Sequence, residues 1–546
     1  MTTPFTELDQ GELDGLIARV KEAAAHNLAL SGDDLQRLLN ALLMLAQLQE
    51  RMADHDITLH KLRKLAGIVS SSEKLSAVLP GAGDNAKKPK KPKKPKKPPD
   101  PAAKAAPERV VHERREHALE GLEKGQRCPE CLRGTLYRYE PAVVLRISGQ
   151  TPLISTQHLL ERLRCNTCGA YFTADLSEDV RDDGPADQQY SYSARALLAI
   201  QKYFAGSPFY RQQTLQQLFG MPVGASTVFD QCEELANAIR PLFVYLLALA
   251  GDALLYFVDD TTNRILTQGE VTKPDRRTGK PKVRTGVYTS GLIAVLADDH
   301  HLVLYQTNVG HAGEWLDEIL RGRPPTAPPP IVMSDALSRN RPSVLADYHT
   351  ALCNAHARRE FVDVAHHRPD HVEWVLERYA LIWDHEHHCQ VHELSASQRL
   401  AYHRAHSLPV MEQIRDRGRQ ALAEGTVEAN SALGQAIGYF ARHFQGLTAF
   451  CRLAGAPIDN NRLEQALKLI IRGRKNALFF KTPAGAAIAD VITSVVATAQ
   501  GAGINVFEYL IVLQRHADEV KRQPERWLPW NYQATVEALQ AQKKAA

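Results

Sequence analysis

The 546-residue sequence lacks the features that direct a chain into or across a membrane. Its first residues, MTTPFTELDQGELD, have no basic segment followed by an apolar run, as a secretory signal would. The most apolar window, residues 241–258, is interrupted by Gly251 and Asp252, which predicts a buried helix leading into a strand rather than a membrane span. We therefore expect a cytoplasmic protein with several domains.

The sequence also lacks a general excess of basic residues. Its formal net charge is +4, and without the eight lysines of residues 87–97 it would be −4. These lysines are interspersed with prolines within residues 71–112, a composition that favours a disordered, extended linker without a core. Such a tract would attract phosphate groups without sequence preference, or would act as a solvated spacer, and the two uses are compatible.

Cysteine is scarce, with eight residues in the whole chain, and nothing in the sequence suggests secretion and disulfides. Four cysteines form two CxxC pairs, Cys128 with Cys131 and Cys165 with Cys168, separated by a stretch rich in strand formers. Two such pairs supply four thiolates to a tetrahedral zinc ion and predict a zinc-ribbon-like module over residues 113–180. A closed shell of four thiolates leaves no position for substrate, so we expect this zinc to be structural.

Helical patterns dominate two stretches that precede the first long strand. In residues 1–70 apolar side chains recur on a heptad pattern, at Leu38, Leu42, Leu45, Met52 and Leu59. The pattern predicts either a leucine-zipper-like coiled coil that makes the chain a homo-oligomer or a helix packed within the monomer. Residues 188–250 are predicted to be helical, and a glycine turn before Ser226, a candidate N-cap, outlines a helix-turn-helix that ordinary helical hairpins share.

Strand patterns begin at residue 251. Three apolar strands, a helix over Ala312–Leu320, a fourth strand and a short fifth strand follow, and the fifth opens a helix at about Ala357. This order predicts a mixed sheet covered by helices, and a multidomain α+β fold overall. The sequence divides this part into a core of residues 251–361 and 451–482, a helical insertion of residues 362–450 and a helical tail of residues 483–546.

Acidic residues end two of these strands. Asp259 and Asp260 end the first strand, Asp335 ends the fourth, and a helix predicted from about Asn460 carries Glu464 opposite its apolar stripe. Three clustered carboxylates repel one another unless divalent cations neutralise their charge. Oxygen-rich sites of this kind bind Mg2+ or Mn2+, and a pair of such ions can catalyse phosphodiester cleavage. The spacing leaves other interpretations open, because each acid would suit an exposed or capping position and Glu464 an ion pair with a lysine one turn later.

Basic residues cluster on two predicted helices. They are His356, Arg358 and Arg359 at the start of one helix, and Arg472, Arg474 and Lys475 after Glu464. Guanidinium groups and helix N-termini bind phosphate well, so these residues are predicted to contact a DNA backbone or to support the acidic site. The alternative is that they pack within the protein. The histidines between His385 and His392 follow no ordered metal-binding motif and favour a solvated helix face.

Several motifs together resemble the transposases of the insertion sequence 66 family: the zinc module, VDDT, CNAHARREF, IDNNRLEQALKLIIRGRKN and WLPWN. The resemblance extends to about Tyr532 and implies a DDE-type catalytic domain with a ribonuclease-H-like fold. By motif, Asp259 and Asp335 match the two aspartates and Glu464 the glutamate. It further implies Mg2+ or Mn2+ at these acids, double-stranded DNA of element ends and target as partner, accessory proteins of the same element, and association with the bacterial nucleoid.

The sequence departs from this family's pattern at three positions. Leu337 replaces a usual aromatic residue, Asn354 a usual tryptophan and Thr262 a usual proline. All three acids are retained, so the leading hypothesis is a transposase that cleaves element ends and joins them to target DNA. The alternatives are a transposase-derived DNA-binding protein that no longer cleaves, and a nuclease that only hydrolyses.

Overall fold

The computed structural model describes residues 188–274, 279–343, 347–366 and 368–545, with parts of 15–35, 124–136 and 152–185. The heptad leucines of the predicted coiled coil, the lysine–proline tract and the four cysteines of the CxxC pairs lie outside the described residues. By contacts, the chain forms one unit of residues 1–83 and 156–546 and a second unit of residues 84–155. In the second unit, Gly125 and Gln126 pair through their backbones with Leu136.

The first unit contains both strands and helices. The described strands are β1 (Arg162–Arg164), β2 (Tyr171–Thr173), β3 (Leu255–Asn263), β4 (Val271–Pro274), β5 (Pro281–Arg284), β6 (Val287–Val295), β7 (His301–Asn308), β8 (Ile331–Ser334) and β9 (His349–Leu352). The described α-helices are α1 (Glu178–Asp182), α2 (Tyr192–Ala199), α3 (Phe209–Leu218), α4 (Ala225–Ala250), α5 (Ala312–Leu320), α6 (Asn354–Val362), α7 (Pro369–Val391), α8 (Ala396–Ala423), α9 (Ala432–Leu447), α10 (Asn461–Ala477), α11 (Pro483–Gly501), α12 (Val506–Arg515), α13 (Ala517–Arg522) and α14 (Tyr532–Ala545). Shorter helical turns are Ile200–Phe204, Ser338–Asn340, Ala449–Cys451 and Pro524–Trp527.

The central sheet has five strands in the order β7-β6-β3-β8-β9. β7, β6 and β3 pair antiparallel, whereas β3, β8 and β9 run parallel. The mixed sheet predicted from the sequence is therefore confirmed, and its strands are the apolar runs from which it was predicted. The separate two-stranded hairpin of β4 and β5 was not predicted.

Different helices cover the two faces of this sheet. Successive side chains of β3 point to opposite faces and show which helix lies on each. Tyr256 lies on the face that contacts α4, where its hydroxyl donates to the carbonyl of Ala250 at 2.7 Å. Phe257 lies on the other face, in a hydrophobic cluster with Leu463 of α10 and Phe361 of α6. The same cluster extends into the helical insertion, where α7, α8 and α9 occupy the residues predicted to be helical.

Helix α11 covers the exposed edge of the sheet. β7 is an edge strand, and its outward N–H groups need partners. Three polar side chains one helical turn apart, Asp490, Ser494 and Thr498, accept hydrogen bonds from backbone N–H groups of alternate β7 residues, which are Thr307 at 2.7 Å, Tyr305 at 2.9 Å and Val303 at 3.0 Å. The sheet is therefore closed at this side by side chains instead of a further strand.

Within the described residues, α11 is also the helix long and apolar enough to cross a membrane by length and composition alone. Of its most apolar window, 67% is buried inside the structure, and the helix packs along β7 and α4. The apolar composition of α11 is therefore explained by its position in the core.

Three helices begin at residues other than those predicted. α6 begins at Asn354 and not at Ala357, and α4 begins after Gly224, which places Ser226 inside the first turn instead of at the N-cap. α10 begins at Asn461, one residue later than predicted, and the Asp459 carboxylate accepts the Asn461 N–H at 3.0 Å. Asp459 therefore satisfies one free N–H of the helix start, although Asn460 occupies the N-cap position.

Candidate active site

Asp259 and Asp335 lie side by side on neighbouring parallel strands of the central sheet. Phe257 of β3 pairs with Met333 of β8, so Asp259, in the middle of β3, is level with Asp335, which directly follows β8. The first strand was predicted to end at Asp259 and Asp260, but β3 continues to Asn263. The side-chain amide of buried Asn340 donates to both carboxylates, at 3.3 Å to Asp259 and 2.9 Å to Asp335. The two acceptor oxygens are thus within two hydrogen-bond lengths of each other.

This arrangement concentrates negative charge. Burial, followed by the neighbouring Asp335 carboxylate, raises the pKa of Asp259 to about 7, and the charges of Asp260 and Glu464 act in the same direction. The hydrogen bond from the Asp260 N–H opposes this shift without cancelling it. A bound cation would relieve the repulsion and restore the charged carboxylate.

Asp260, the neighbouring acid, points to the opposite face of the sheet. Its carboxylate contacts Nδ1 of His311, just before α5, at 2.7 Å, and Arg339 at 3.7 Å. Only 2% of the Asp260 side chain is exposed. Of the two neighbouring acids, Asp259 is therefore the one that shares the Asn340 amide with Asp335.

Glu464 is brought towards these aspartates by close packing of α10 on the sheet. Gly291 of β6 pairs with Asp259, and a Cβ at Gly291 would lie 2.8 Å from a methyl carbon of Leu467. On the far side of Gly291, the Tyr305 hydroxyl donates to the carbonyl of Ala466 in α10 at 2.9 Å. The absence of a side chain at Gly291 and the hydrogen bond of Tyr305 together set the distance between α10 and the sheet.

The loop before α10 is pinned to the same region. The Asn460 side chain donates to the carbonyl of Val258 at 3.3 Å, and its backbone N–H donates to Sγ of Cys353 at 3.2 Å. Both side chains are buried. Glu464 lies beside His356 of α6, with 3.6 Å between Oε1 and Nδ1. Within the described residues, Glu464 does not form the ion pair with Lys468 that their spacing allowed.

The six predicted DNA-binding residues occupy different environments. His356 lies beside Glu464, Arg358 and Arg359 are half-buried on α6, and Lys475 is exposed. Arg474 donates to Thr261 and to the backbone and side chain of Thr262, so it holds the end of β3. Arg472 donates to the carbonyl of Phe204 and joins α10 to the preceding helical region. Contact of these residues with DNA stays a prediction.

The three departures from the family pattern have identifiable surroundings. The buried Asn354 amide donates to the carbonyls of Leu447 and Ile458, at 2.9 Å and 3.0 Å, and so links the end of the insertion to the loop before α10. The Thr262 hydroxyl accepts from Arg474 at 2.9 Å. Leu337 is 47% exposed, directly after the second acid's turn.

Two features near the site were missed by sequence reasoning. Asn340 stands five residues after Asp335 in a loop and follows no periodic pattern, so nothing marked it as a bridge between acids. The β4–β5 hairpin follows β3 directly, and residues 271–284 contain six basic residues and one acid. That local excess of positive charge is the feature of the sequence that marks the hairpin, because its strands are mostly exposed and not apolar.

The acids fit a divalent cation by their chemistry. Asp259, Asp335 and Glu464 offer carboxylate oxygens, the ligands that Mg2+ and Mn2+ prefer. In the part of the chain that the structure describes, one cysteine–histidine–carboxylate group also has metal-binding geometry, namely Cys353, His356 and Glu464, whose ligand atoms lie within 4.8 Å of one another. The site is therefore a carboxylate-rich centre on a mixed α/β fold, with one imidazole at its border.

The chain belongs to the Transposase IS66 family, whose sequence model matches residues 187–488. This confirms the resemblance seen in the motifs, and the matched segment contains the central sheet, the insertion and all three acids.

The curated relatives are proteins of Sinorhizobium fredii (strain NBRC 101917 / NGR234). "Uncharacterized protein y4jD" is 31% identical over 189 residues, 34% of this chain and 36% of that protein. "Uncharacterized protein y4hP" is 25% identical over 364 residues, 62% of this chain and 61% of that protein. The chain therefore spans less than two thirds of the length of these relatives.

Proposed function

We propose that the chain is a DDE-type DNA transposase, with Asp259, Asp335 and Glu464 as its catalytic acids. It would cleave DNA at the ends of its insertion element and join the resulting 3′-hydroxyl groups to target DNA. The observation that supports this most directly is the Asn340 amide donating to both Asp259 and Asp335 beneath α10. The strand order β7-β6-β3-β8-β9, antiparallel and then parallel, further supports a ribonuclease-H-like catalytic domain.

The three acids would hold Mg2+ or Mn2+. When bound, these ions would neutralise phosphate charge and make the attacking oxygen more acidic. The chain's own contribution is position: Asn340 fixes the two aspartates, while Gly291 and Tyr305 set the height of α10 and thus of Glu464. Such orientation of ligands is commonly worth about 10–100-fold in affinity or activity.

Duplex DNA is the proposed partner, both as element ends and as target. We assign phosphate contacts to the exposed Lys475, to the α6 arginines Arg358 and Arg359, and to the basic β4–β5 hairpin that follows β3 in the chain. Arg472 and Arg474 would act mainly by fixing α10 and β3, because their guanidinium groups already bind protein carbonyls. The zinc module and the coiled coil would add end recognition and homo-oligomerisation, and accessory proteins of the same element would join the complex.

The decisive experiment is nicking of a labelled duplex that carries the terminal repeats of the element encoding this chain. The wild-type full chain should nick it only with Mg2+ or Mn2+. Glu464→Gln should lower the rate by more than about 100-fold while leaving DNA binding intact, since a ligand should matter more than its supports. The matched control is Glu377→Gln, which removes an exposed carboxylate of the insertion and should leave the rate unchanged.

Three other results would contradict the proposal. Tight binding without nicking, also when the element's other proteins are added, would favour a DNA-binding protein derived from a transposase. Nicking without any joined product would favour a hydrolytic nuclease. Nicking by Asp335→Ala at the wild-type rate would exclude the assigned acids.

A further inference from the structure

His356 lies beside Glu464 in a way that leaves two polar atoms without partners. Nδ1 of His356 and Oε1 of Glu464 are 3.6 Å apart, too far for a hydrogen bond. Both atoms are buried and neither has a hydrogen-bond partner. Leaving a buried polar atom unsatisfied costs about 1–3 kcal/mol, so such a pair calls for a further group between the two atoms.

The distance between these atoms suits two ligands of one metal ion. Ligand nitrogen and oxygen atoms lie about 2.0–2.2 Å from first-row divalent ions, so neighbouring ligands of one ion are about 3–4 Å apart. The 3.6 Å between Nδ1 and Oε1 falls within that range. Both side chains are 27% exposed, so an ion can reach them from solvent.

The third member of this group, Cys353, has a different task. Its Sγ already accepts the backbone N–H of Asn460 at 3.2 Å, and the residue is 1% exposed. That bond ties the start of α6, which carries His356, to the loop that begins α10, which carries Glu464. Cys353 thus positions the two ligands relative to each other without being one.

We propose that His356 Nδ1 is a ligand of the divalent ion that Glu464 holds, which makes this half of the site a mixed nitrogen–oxygen site. The inference rests on the proposed function, because it concerns the ion of the same three acids. Imidazole suits transition metals, whereas Mg2+ is best served by carboxylate, carbonyl and water oxygens. The site therefore favours Mn2+ over Mg2+ more strongly than three carboxylates alone would.

Pulsed electron paramagnetic resonance of Mn2+ bound to the full chain tests this inference without any DNA. The wild-type spectrum should show nitrogen-14 modulation, which His356→Gln should abolish together with a loss of Mn2+ affinity of at least about tenfold, since a ligand should matter at least as much as a supporting group. His387→Gln, which changes an exposed histidine of the insertion, is the matched control and should leave both signals unchanged.

A second variant separates ligand loss from misfolding. His356→Glu replaces nitrogen by carboxylate oxygen, so it should still bind metal, lack nitrogen modulation and show a smaller ratio of Mn2+ to Mg2+ affinity than the wild type. Melting temperatures would verify that each variant is folded.

Mn2+ binding without nitrogen modulation in the wild type, or modulation that persists in His356→Gln, would overturn the inference and leave the three-acid proposal intact. If neither the wild type nor any variant binds Mn2+ or Mg2+, the proposed function fails as well.

Discussion

Gly291 shows how the absence of one side chain can position a helix that carries a proposed catalytic acid. It sits in β6 between Asp259 on one neighbouring strand and Tyr305 on the other. A Cβ there would come within 2.8 Å of Leu467 and 3.1 Å of Leu463, the two leucines that α10 buries against the sheet. Glycine therefore suits this position because it lets a helix approach closely, and not because the backbone needs flexibility.

Gly291→Ala is predicted to lift α10 and move Glu464 away from the aspartates. We expect the free energy of unfolding to fall by about 1–3 kcal/mol, as for other overpacked cores. Nicking should fall by up to about 100-fold, since displacement of a reacting group by about 1 Å has effects of that size. Melting curves and nicking rates would measure both effects.

The double variant Gly291→Ala/Leu467→Ala is the companion test, because it removes the methyl group that the new Cβ would meet most closely, at 2.8 Å. It should regain nicking relative to Gly291→Ala even though the cavity it leaves lowers stability. If the single variant nicks at the wild-type rate, the position of α10 does not depend on this contact.

At the residue scale, the sequence marked the three candidate acids but not the side chains that support them. Asp259 and Asp335 follow apolar runs and Glu464 stands opposite the apolar stripe of its helix, and such patterns can be read from a sequence. Asn340 acts through one side-chain amide whose two acceptors come from different strands. That property depends on three-dimensional convergence, and one sequence carries no periodic signal for it.

Among the elements, α11 meets the edge of β7 through matched repeats. Four residues of helix advance about 6.0 Å, and two residues of strand advance about 6.6–6.8 Å. Asp490, Ser494 and Thr498 can therefore each meet an N–H of an alternate β7 residue. The mismatch is small over the two steps between these three contacts, so the pairing extends from Val303 to Thr307 of the edge strand.

Asp490 makes this contact sensitive to pH. Burial raises the pKa of Asp490 to about 7, although hydrogen bonds from Thr307 act in the opposite direction. The folded protein therefore holds this proton more tightly than the unfolded chain, whose aspartates titrate near pH 4. The sign follows from linkage: this contribution to stability is full below about pH 4 and is lost as the pH rises to about 7.

Asp490→Asn is predicted to remove this loss of stability at higher pH, because asparagine accepts the Thr307 N–H without ionising. Between pH 5 and pH 8 the wild type should lose about 2–3 kcal/mol relative to the variant, measured as a growing difference in melting temperature. Asp490→Ala serves as control and should be destabilised at both pH values. A difference between wild type and Asp490→Asn that stays constant with pH would contradict the assignment.

The β4–β5 hairpin yields a prediction about DNA affinity. Lys280 and Lys282 lie in and next to β5, within a stretch of six basic residues. Replacing both by alanine should weaken binding uniformly across sequences and reduce the slope of log affinity against log salt by about 2, one unit for each lost phosphate contact. An unchanged slope would exclude the hairpin from the interface. Lys521→Ala on α13 is the matched control.

The strands that were predicted and the missed β4–β5 hairpin differ in how deeply they are buried. β3, β6, β7 and β8 are apolar runs because both faces of the sheet are covered, and such runs are visible in sequence. The strands β4 and β5 are mostly exposed and charged, so they lack the alternation that predicts a strand. Helix starts were displaced by one to three residues, because capping depends on the exact path of the preceding loop.

At the scale of the whole molecule, the predicted zinc module awaits a direct test, since its cysteines lie outside the described residues. Metal analysis of the purified full chain should find about one zinc ion per chain. Cys165→Ser should lower this content and destabilise the module, because structural zinc contributes directly to folding. Cys232→Ser, which changes a cysteine buried in α4, should leave it unchanged. Equal zinc in both variants would exclude the four-cysteine site.

The insertion of residues 362–450 also sets a delay during synthesis of the protein. The ribosome makes Asp259 and Asp335 first, then the whole insertion, and only afterwards α10 with Glu464. At about 5–20 residues per second, the interval between the second aspartate and the glutamate is roughly ten seconds. We therefore expect a nascent chain to carry the basic hairpin and two acids well before it can cut, so premature termination within the insertion would yield fragments that are inert towards the genome.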